Sequence, residues 1–239
     1  MSAQHTRPRA ISPRELVKQW GGRFSLDLDI RLASGKQGEI FKWFLASILF
    51  GARISEKIAA NTYRAFAMAR VTTPEAILRT GWDGLVAILD RGGYVRYDYK
   101  TATKLLAINR DLMERHGGDL DPLHAMAADQ EDLAERIRHL GKGIGEVTAN
   151  IFLREMRGVW PKAQPLPSDL AVAAAKALRF ISPRLANRKL ILKRLRDAWQ
   201  RDGGTADTFP DFESALVRVG LEMRRKGARG LADVRISAA

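Results

Sequence analysis

Apolar residues recur at helical spacing along most of the chain. One such stripe consists of Ile40, Phe41, Phe44, Leu45, Ile48 and Leu49. Residues three and four positions apart lie on one face of an α-helix, and an apolar face of this kind packs into a core. Similar stripes separated by short links predict an all-α fold.

Local start and stop signals delimit several of these helices. Residues 12–15 read Ser-Pro-Arg-Glu, a capping box with proline at the first helical position. A longer helix is predicted over residues 98–116, with Gly117 ending it. Ser168 is expected to cap a later helix.

One segment has a different pattern. Its apolar residues alternate strictly with polar ones, at Phe24, Leu26, Leu28, Ile30 and Leu32. An alternation with a period of two predicts a short strand or an extended arm.

Residues 140–150 read Leu-Gly-Lys-Gly-Ile-Gly-Glu-Val-Thr-Ala-Asn and lie between two helical patterns. Glycines at alternate positions (Gly141, Gly143 and Gly145) predict a tight hairpin, because glycine adopts positive φ angles without strain. The second helix is predicted to begin at about Glu146, so its unpaired N–H groups face the mouth of the hairpin. Such a hairpin is suited to holding a phosphate.

The charge of the chain indicates which class of molecule would supply this phosphate. The sequence holds 40 Lys and Arg against 27 Asp and Glu, a net charge of +13, which favours binding to nucleic acid. Eight of the basic residues lie between Arg179 and Arg201, at helical spacing, with Asp197 as the one acid among them. This helix presents either a solvated face or a face that follows a phosphate backbone.

Composition argues against other classes of protein. The longest uncharged apolar run, Trp43 to Ala52, is far shorter than the roughly 20 residues of a membrane span. The first residues lack the apolar stretch of a signal peptide. With no cysteine in the sequence, disulfides, thiolate metal sites and cysteine-ligated iron–sulfur clusters are excluded. We therefore expect a cytoplasmic, nucleoid-associated protein without a membrane partner. A monomer is also expected.

The hairpin resembles that of the helix-hairpin-helix DNA glycosylase superfamily, which includes endonuclease III and the alkylated-base glycosylases. In that family the hairpin is followed by a loop rich in glycine and proline and then by an aspartate that starts the next helix. The corresponding residues here are Gly158, Pro161, Pro165, Pro167 and Asp169. The turn at residues 92–94 and the segment from Lys100 to Leu105 also look like that family. The likeness extends from about Gly38 to Leu178.

The resemblance implies two helical subdomains with a DNA-binding cleft between them. The first is a helical barrel over residues 38–158 that carries the hairpin. The second combines residues 1–37 with 159–239 and carries the candidate catalytic residue, Asp169. Its carboxylate would stabilise the positive charge that develops on the sugar as a base departs, and would orient or deprotonate the attacking water. A role in capping its own helix is the alternative for Asp169.

The remaining candidate site residues are expected to contact DNA, line a pocket or bind a cation. The residues expected to contact DNA are Gly141, Lys142, Gly143, Ile144, Gly145, Val147, Thr148 and Arg53. The rings expected to line a pocket for an extruded base are Trp43, Tyr94, Tyr97 and Tyr99, with ordinary core packing as the alternative. The resemblance implies that backbone carbonyls of His139, Gly141 and Ile144 hold a monovalent cation, K⁺ or Na⁺. No other cofactor is expected.

Three positions depart from the family. Val147 stands where the bifunctional members carry a lysine nucleophile, so an enzyme of this kind would release the base without cutting the strand. Glu146 places a carboxylate where the hairpin would hold a phosphate. Pairing with Lys142 would reduce the repulsion between that carboxylate and the phosphate. Arg53 lies in the segment that commonly carries a glutamine filling the gap left by the base.

The sequence therefore predicts a DNA repair protein that binds damaged or mismatched double-stranded DNA and acts as a monofunctional DNA N-glycosylase. A glycosylase-fold protein that binds DNA without catalysis is the alternative. A helical protein associated with RNA or the ribosome is a third possibility.

Overall fold

A computed structural model describes residues 11–226 of the chain. These residues form α-helices and contain no β-strand, which confirms the all-α prediction. The helices are α1 (Pro13–Trp20), α2 (Gln37–Phe50), α3 (Glu56–Met68), α4 (Pro74–Arg91), α5 (Asp98–His116), α6 (Asp121–Met126), α7 (Gln130–His139), α8 (Glu146–Glu155), α9 (Asp169–Ala177), α10 (Arg188–Arg201) and α11 (Phe209–Lys226). No helix within this range is long and apolar enough to cross a membrane.

The chain divides into two compact units. The central unit is Ser25–Pro165 and contains α2 to α8. The terminal unit combines the chain up to Phe24 with the chain from Leu166 onward and contains α1 and α9 to α11. The central unit thus extends beyond the predicted barrel of residues 38–158 on both sides. The outer ends of the predicted second subdomain, residues 1–10 and 227–239, lie outside the described residues.

The core of the central unit is built around α2, which is apolar on nearly all sides and buried along most of its length. Helix α8 packs against it, with the rings of Phe44 and Phe152 in edge-to-face contact at 5.4 Å. Near the end of α2, a Cβ at Gly51 would stand only 2.1 Å from the Thr148 hydroxyl oxygen, so the absence of a side chain lets α8 approach.

The terminal unit has a separate core, in which α9 and α11 are in close contact. A Cβ at Gly220 would lie 2.4 Å from the carbonyl oxygen of Leu170. The ring of Phe212 on α11 stacks on Trp199 of α10 at 5.6 Å. The Asp211 carboxylate accepts hydrogen bonds from the backbone N–H and the guanidinium of Arg23, which ties the N-terminal segment to α11.

The predicted helix signals are confirmed. Helix α1 begins behind a complete capping box, in which Ser12 and Glu15 exchange hydrogen bonds. Helix α5 spans residues 98–116, and Gly117 ends it in the left-handed conformation with φ of 60°. The Ser168 hydroxyl caps α9 by accepting the N–H of Ala171.

The prediction of a short strand or an extended arm over residues 24–32 is wrong. The segment coils through two short 3-10 turns, Leu26–Leu28 and Leu32–Ser34. The carbonyl of Ser25 accepts the N–H groups of both Leu28 and Ile30, and Asp29 adopts a left-handed φ of 58°. The alternating residues are mostly buried, as the pattern indicated, but tight turns rather than an extended backbone bury them.

Candidate nucleic-acid interface

The glycine turn, residues 140–145, joins α7 to α8 in the central unit. Helix α7 ends at His139, and the N–H of Ile144 donates to the carbonyl of Gly141 at 3.2 Å to close a tight turn. Gly145 then occupies the N-cap position of α8, which begins at Glu146 as predicted.

The three glycines of the turn differ in what a side chain at each position would contact. A Cβ at Gly141 would lie 2.5 Å from the Ile108 side chain, so this glycine lets the turn lie against α5. Gly143 has φ of +101°, and a Cβ there would lie 2.8 Å from the Lys104 side chain. Gly145 has an ordinary φ of −90° and open space around the position of a Cβ. The fold therefore accounts for two of the three, whereas at Gly145 the missing side chain exposes backbone.

The backbone N–H groups at this point are available to a ligand. Gly145 provides no side-chain cap for α8, and the first helical hydrogen bond runs from Ala149 to the carbonyl of Gly145. Within the described part of the chain, the N–H groups of Gly145, Glu146 and Val147 have no acceptor, and all three residues are exposed. They lie at the positive end of the α8 dipole, a site that favours an anion.

Two lysines lie at the glycine turn, and a third lies on the same face of α5. Lys142 is exposed within it, and the stem of Lys104 on α5 lies against Gly143. Partial burial lowers the pKa of Lys104. Lys100 lies one helical turn before Lys104 on the same face of α5 and is exposed. In the described residues no ion pair joins Glu146 to Lys142, so the suggested pairing of that carboxylate is not formed.

Two residues expected to contact DNA have side chains that pack in the core. Ile144 and Thr148 are both buried, and the Thr148 side chain lies against Gly51 at the end of α2. They hold the turn and the start of α8 onto the core. The contact at Gly51 also brings the link between α2 and α3, which carries the exposed Arg53, beside the first turn of α8.

The expected pocket aromatics separate into buried and exposed rings. Trp43 is fully buried on α2, and its indole N–H donates to the carbonyl of Phe152 at 3.1 Å. Tyr94 is also buried, so these two rings pack in the core. Tyr97 is half-buried, with the Arg96 guanidinium 5.6 Å from its ring centre. Tyr99 is exposed.

A stability measurement distinguishes core packing from substrate contact at Trp43. We expect Trp43→Ala to lower the free energy of unfolding by about 3–5 kcal/mol, because it leaves a cavity and removes one of the two N–H groups that the Phe152 carbonyl accepts. Trp82→Ala is the matched control, since Trp82 is partly exposed and its loss leaves no internal cavity. Chemical denaturation provides the comparison, and equal stability of the two variants would contradict the packing role.

Asp169 belongs to the terminal unit and is the first residue of α9. Its side chain is 92% exposed, and one carboxylate oxygen accepts a hydrogen bond from the Arg188 guanidinium. The same guanidinium donates to the carbonyl of Pro167 at 2.7 Å. The cap of α9 comes from the Ser168 hydroxyl, so Asp169 is not required as a side-chain cap. Sequence reasoning missed this ion pair, because the two residues are brought together by tertiary contact.

The basic segment of the terminal unit forms α10, which begins at Arg188 behind an Asn187 cap. Ile191 and Leu195 are buried, while Lys193 and Arg194 are exposed. The helix therefore presents basic side chains to solvent, as predicted.

The backbone around the glycine turn is compatible with the monovalent cation. The carbonyl of Gly141 accepts only the N–H of Ile144, and those of His139 and Ile144 receive no backbone N–H within the described residues. Carbonyl oxygens are suitable ligands for a hard cation. A cation at this turn stays a prediction.

Comparison with known proteins adds no relative. Neither the models of known protein families nor the curated protein sequences match the chain.

Proposed function

We propose that this protein binds DNA through the glycine turn and the start of α8, as a helix-hairpin-helix motif does. The observation that carries the proposal is the exposed, unhindered backbone at Gly145, with N–H groups that have no acceptor in the described chain. Amides of this kind at a helix N-terminus bind phosphate oxygens, which make up most protein contacts to DNA.

The lysines near the turn support a polymeric phosphate ligand. Lys100 and Lys104 lie along one face of α5, and Lys142 lies in the turn itself. Removing a half-buried ammonium from water is unfavourable, and a neighbouring phosphate would offset that cost for Lys104. Several cations beside one amide cluster suit successive phosphates of a DNA backbone better than a single anion.

We further propose that the reaction is hydrolysis of the base–sugar bond in damaged or mismatched DNA. Asp169 would stabilise the positive charge on the sugar and accept a proton from the attacking water. The bond between sugar C1′ and the base nitrogen breaks, the water oxygen attaches to C1′, and the base leaves with the bonding electrons. Val147, exposed beside Gly145, cannot form a covalent intermediate, so no strand cleavage accompanies the reaction.

Binding without catalysis is the second candidate. The ion pair between Asp169 and Arg188 favours it, because the guanidinium occupies one carboxylate oxygen that catalysis would use. Since both side chains reach solvent, the pair is weak, and bound DNA could replace it.

One assay distinguishes the two candidates. Duplexes that each contain a single modified or mismatched base are incubated with the protein and then treated with alkali, which cleaves the strand wherever a base has been removed. Breaks that depend on both protein and alkali support a monofunctional glycosylase. Tight binding with no breaks across a broad set of lesions supports the non-catalytic protein.

The salt dependence of binding tests the phosphate contacts. If Lys100, Lys104, Lys142 and Arg53 neutralise about four phosphates, affinity for duplex DNA should fall about 100-fold between 50 and 200 mM salt. Lys104→Gln should reduce the logarithmic slope by about one. Fluorescence anisotropy measures the affinity and its salt slope. Lys18→Gln in the terminal unit is the control, because it makes the same chemical change. A flat salt response would contradict a phosphate-dominated interface.

A further inference from the structure

The central unit carries an exposed pair of aromatic rings. Trp82 on α4 is 40% exposed and Tyr99 on α5 is 60% exposed, and their ring centres lie 5.2 Å apart. Large rings that touch each other at the surface leave apolar area in contact with water, which folding alone does not favour.

Hydrogen bonds and a backbone kink hold the pair in place. The indole N–H of Trp82 donates to the Thr103 hydroxyl at 3.1 Å, and that hydroxyl donates to the carbonyl of Tyr99 at 2.9 Å. Gly81 interrupts α4 with φ of 68°, a conformation that favours glycine, so Trp82 starts the second segment of the helix. The two rings are therefore positioned before any ligand binds.

Helix α5 connects this pair to the glycine turn. Tyr99 and Thr103, four residues apart, lie on the face that meets Trp82. On the neighbouring face, Lys104 lies against Gly143 and Ile108 lies close to Gly141. The rise from Tyr99 to Lys104 along the helix is about 7.5 Å, a distance that two or three nucleotides of one strand span.

We propose that Trp82 and Tyr99 form a stacking platform for unpaired nucleobases, beside the phosphate contacts of the glycine turn. The inference rests on the proposed DNA binding and adds a preference for unpaired bases. Nucleobases stack on aromatic side chains regardless of sequence, whereas lysines along the strand bind its backbone. Exposed Lys100 directly follows Tyr99 and can serve such a backbone.

The size and charge of the platform favour a nucleobase over a protein partner. Two partly exposed rings offer on the order of 200 Å², compared with about 800 Å² that each partner buries in a stable protein interface. The adjoining charges are mixed, with Arg96 and Lys100 against Asp83 and Asp98, and the lysines extend toward the glycine turn. One or two stacked bases, with their phosphates on the lysine side, match this arrangement.

The test compares two probes of equal length, a fully paired duplex and a duplex with a bulge of unpaired thymines, each labelled with fluorescein. Anisotropy should show that Trp82→Ala and Tyr99→Ala each weaken binding to the bulged probe about tenfold and binding to the paired probe less than twofold. Trp82→Phe and Tyr99→Phe should retain most of the affinity. Met68→Ala removes another exposed apolar side chain of the central unit and serves as the control.

A spectroscopic readout separates stacking from an indirect structural effect. Binding of the bulged probe should quench tryptophan emission, and Trp82→Phe should remove most of that quenching although binding persists. Equal affinity of wild type and both alanine variants for the bulged probe would contradict the proposed stacking on Trp82 and Tyr99.

Phosphate binding by the glycine turn is tested separately with Gly145→Asp, which should bind neither probe. If that variant loses both probes while the alanine variants bind normally, the platform fails and the proposed DNA binding stands. If wild type binds neither probe, the proposed function itself fails.

Discussion

Gly145→Asp should abolish binding to duplex DNA and leave the fold intact. The glycine has an ordinary backbone conformation and no atom within 4 Å of the position of a Cβ, so the new side chain meets no steric obstacle. Aspartate is also a favoured N-cap residue. Its carboxylate would take the N–H groups that the phosphate needs and would repel the phosphate as well. Together these effects should weaken binding about 100-fold or more.

The control for this variant is Gly38→Asp. Gly38 also has open space around its Cβ position and lies in the first turn of α2, so the substitution adds the same charge near the N-terminus of another helix. Anisotropy titrations should show near wild-type affinity for Gly38→Asp and none measurable for Gly145→Asp, with equal thermal stability. If both variants bind like wild type, the glycine turn has no part in DNA binding.

Under the proposed hydrolysis, Asp169→Asn should reduce alkali-dependent strand breaks about 100-fold or more on any duplex from which the wild type releases a base. The amide keeps the size of the side chain but cannot accept a proton or balance the charge on the sugar. Stability should change little, because the ion pair with Arg188 is exposed and the Ser168 hydroxyl supplies the cap.

Glu56→Gln is the matched control for Asp169→Asn. Glu56 is the first residue of α3 and follows a serine cap, as Asp169 does in α9. Single-turnover measurements should show breaks with Glu56→Gln and none with Asp169→Asn, whereas both variants bind the lesion duplex. Breaks that persist in Asp169→Asn would exclude Asp169 as the catalytic carboxylate.

Much of the fold was predictable from local sequence signals. The capping box at Ser12, the glycine that ends α5 and the start of α8 at Glu146 depend on residues within one or two turns of each other. Interactions of this range are encoded in spacing and residue type. The alternation at residues 24–32 indicated burial correctly, but the choice between a strand and tight turns depended on backbone bonds to Ser25.

The roles of individual aromatic and site residues were less predictable. Trp43 and Tyr94, which the sequence predicts either at a pocket or in the core, are core residues. No sequence pattern distinguishes Trp82, which is exposed beside Tyr99. Burial depends on which helices pack over a residue, and those helices come from distant parts of the chain. Thr148 illustrates the same limit, since its neighbour Gly51 lies almost a hundred positions earlier.

The sequence by itself determined the helical class, the positive charge, the starts of the main helices and the presence of a glycine turn, because each follows from composition or from contacts between near neighbours. Only the tertiary structure decided what each glycine in that turn does. Gly141 and Gly143 accommodate side chains of α5, and Gly145 alone leaves its backbone open. Tertiary structure also joined Arg188 to Asp169 and Trp82 to Tyr99, because packing brings together side chains that spacing along the chain does not relate.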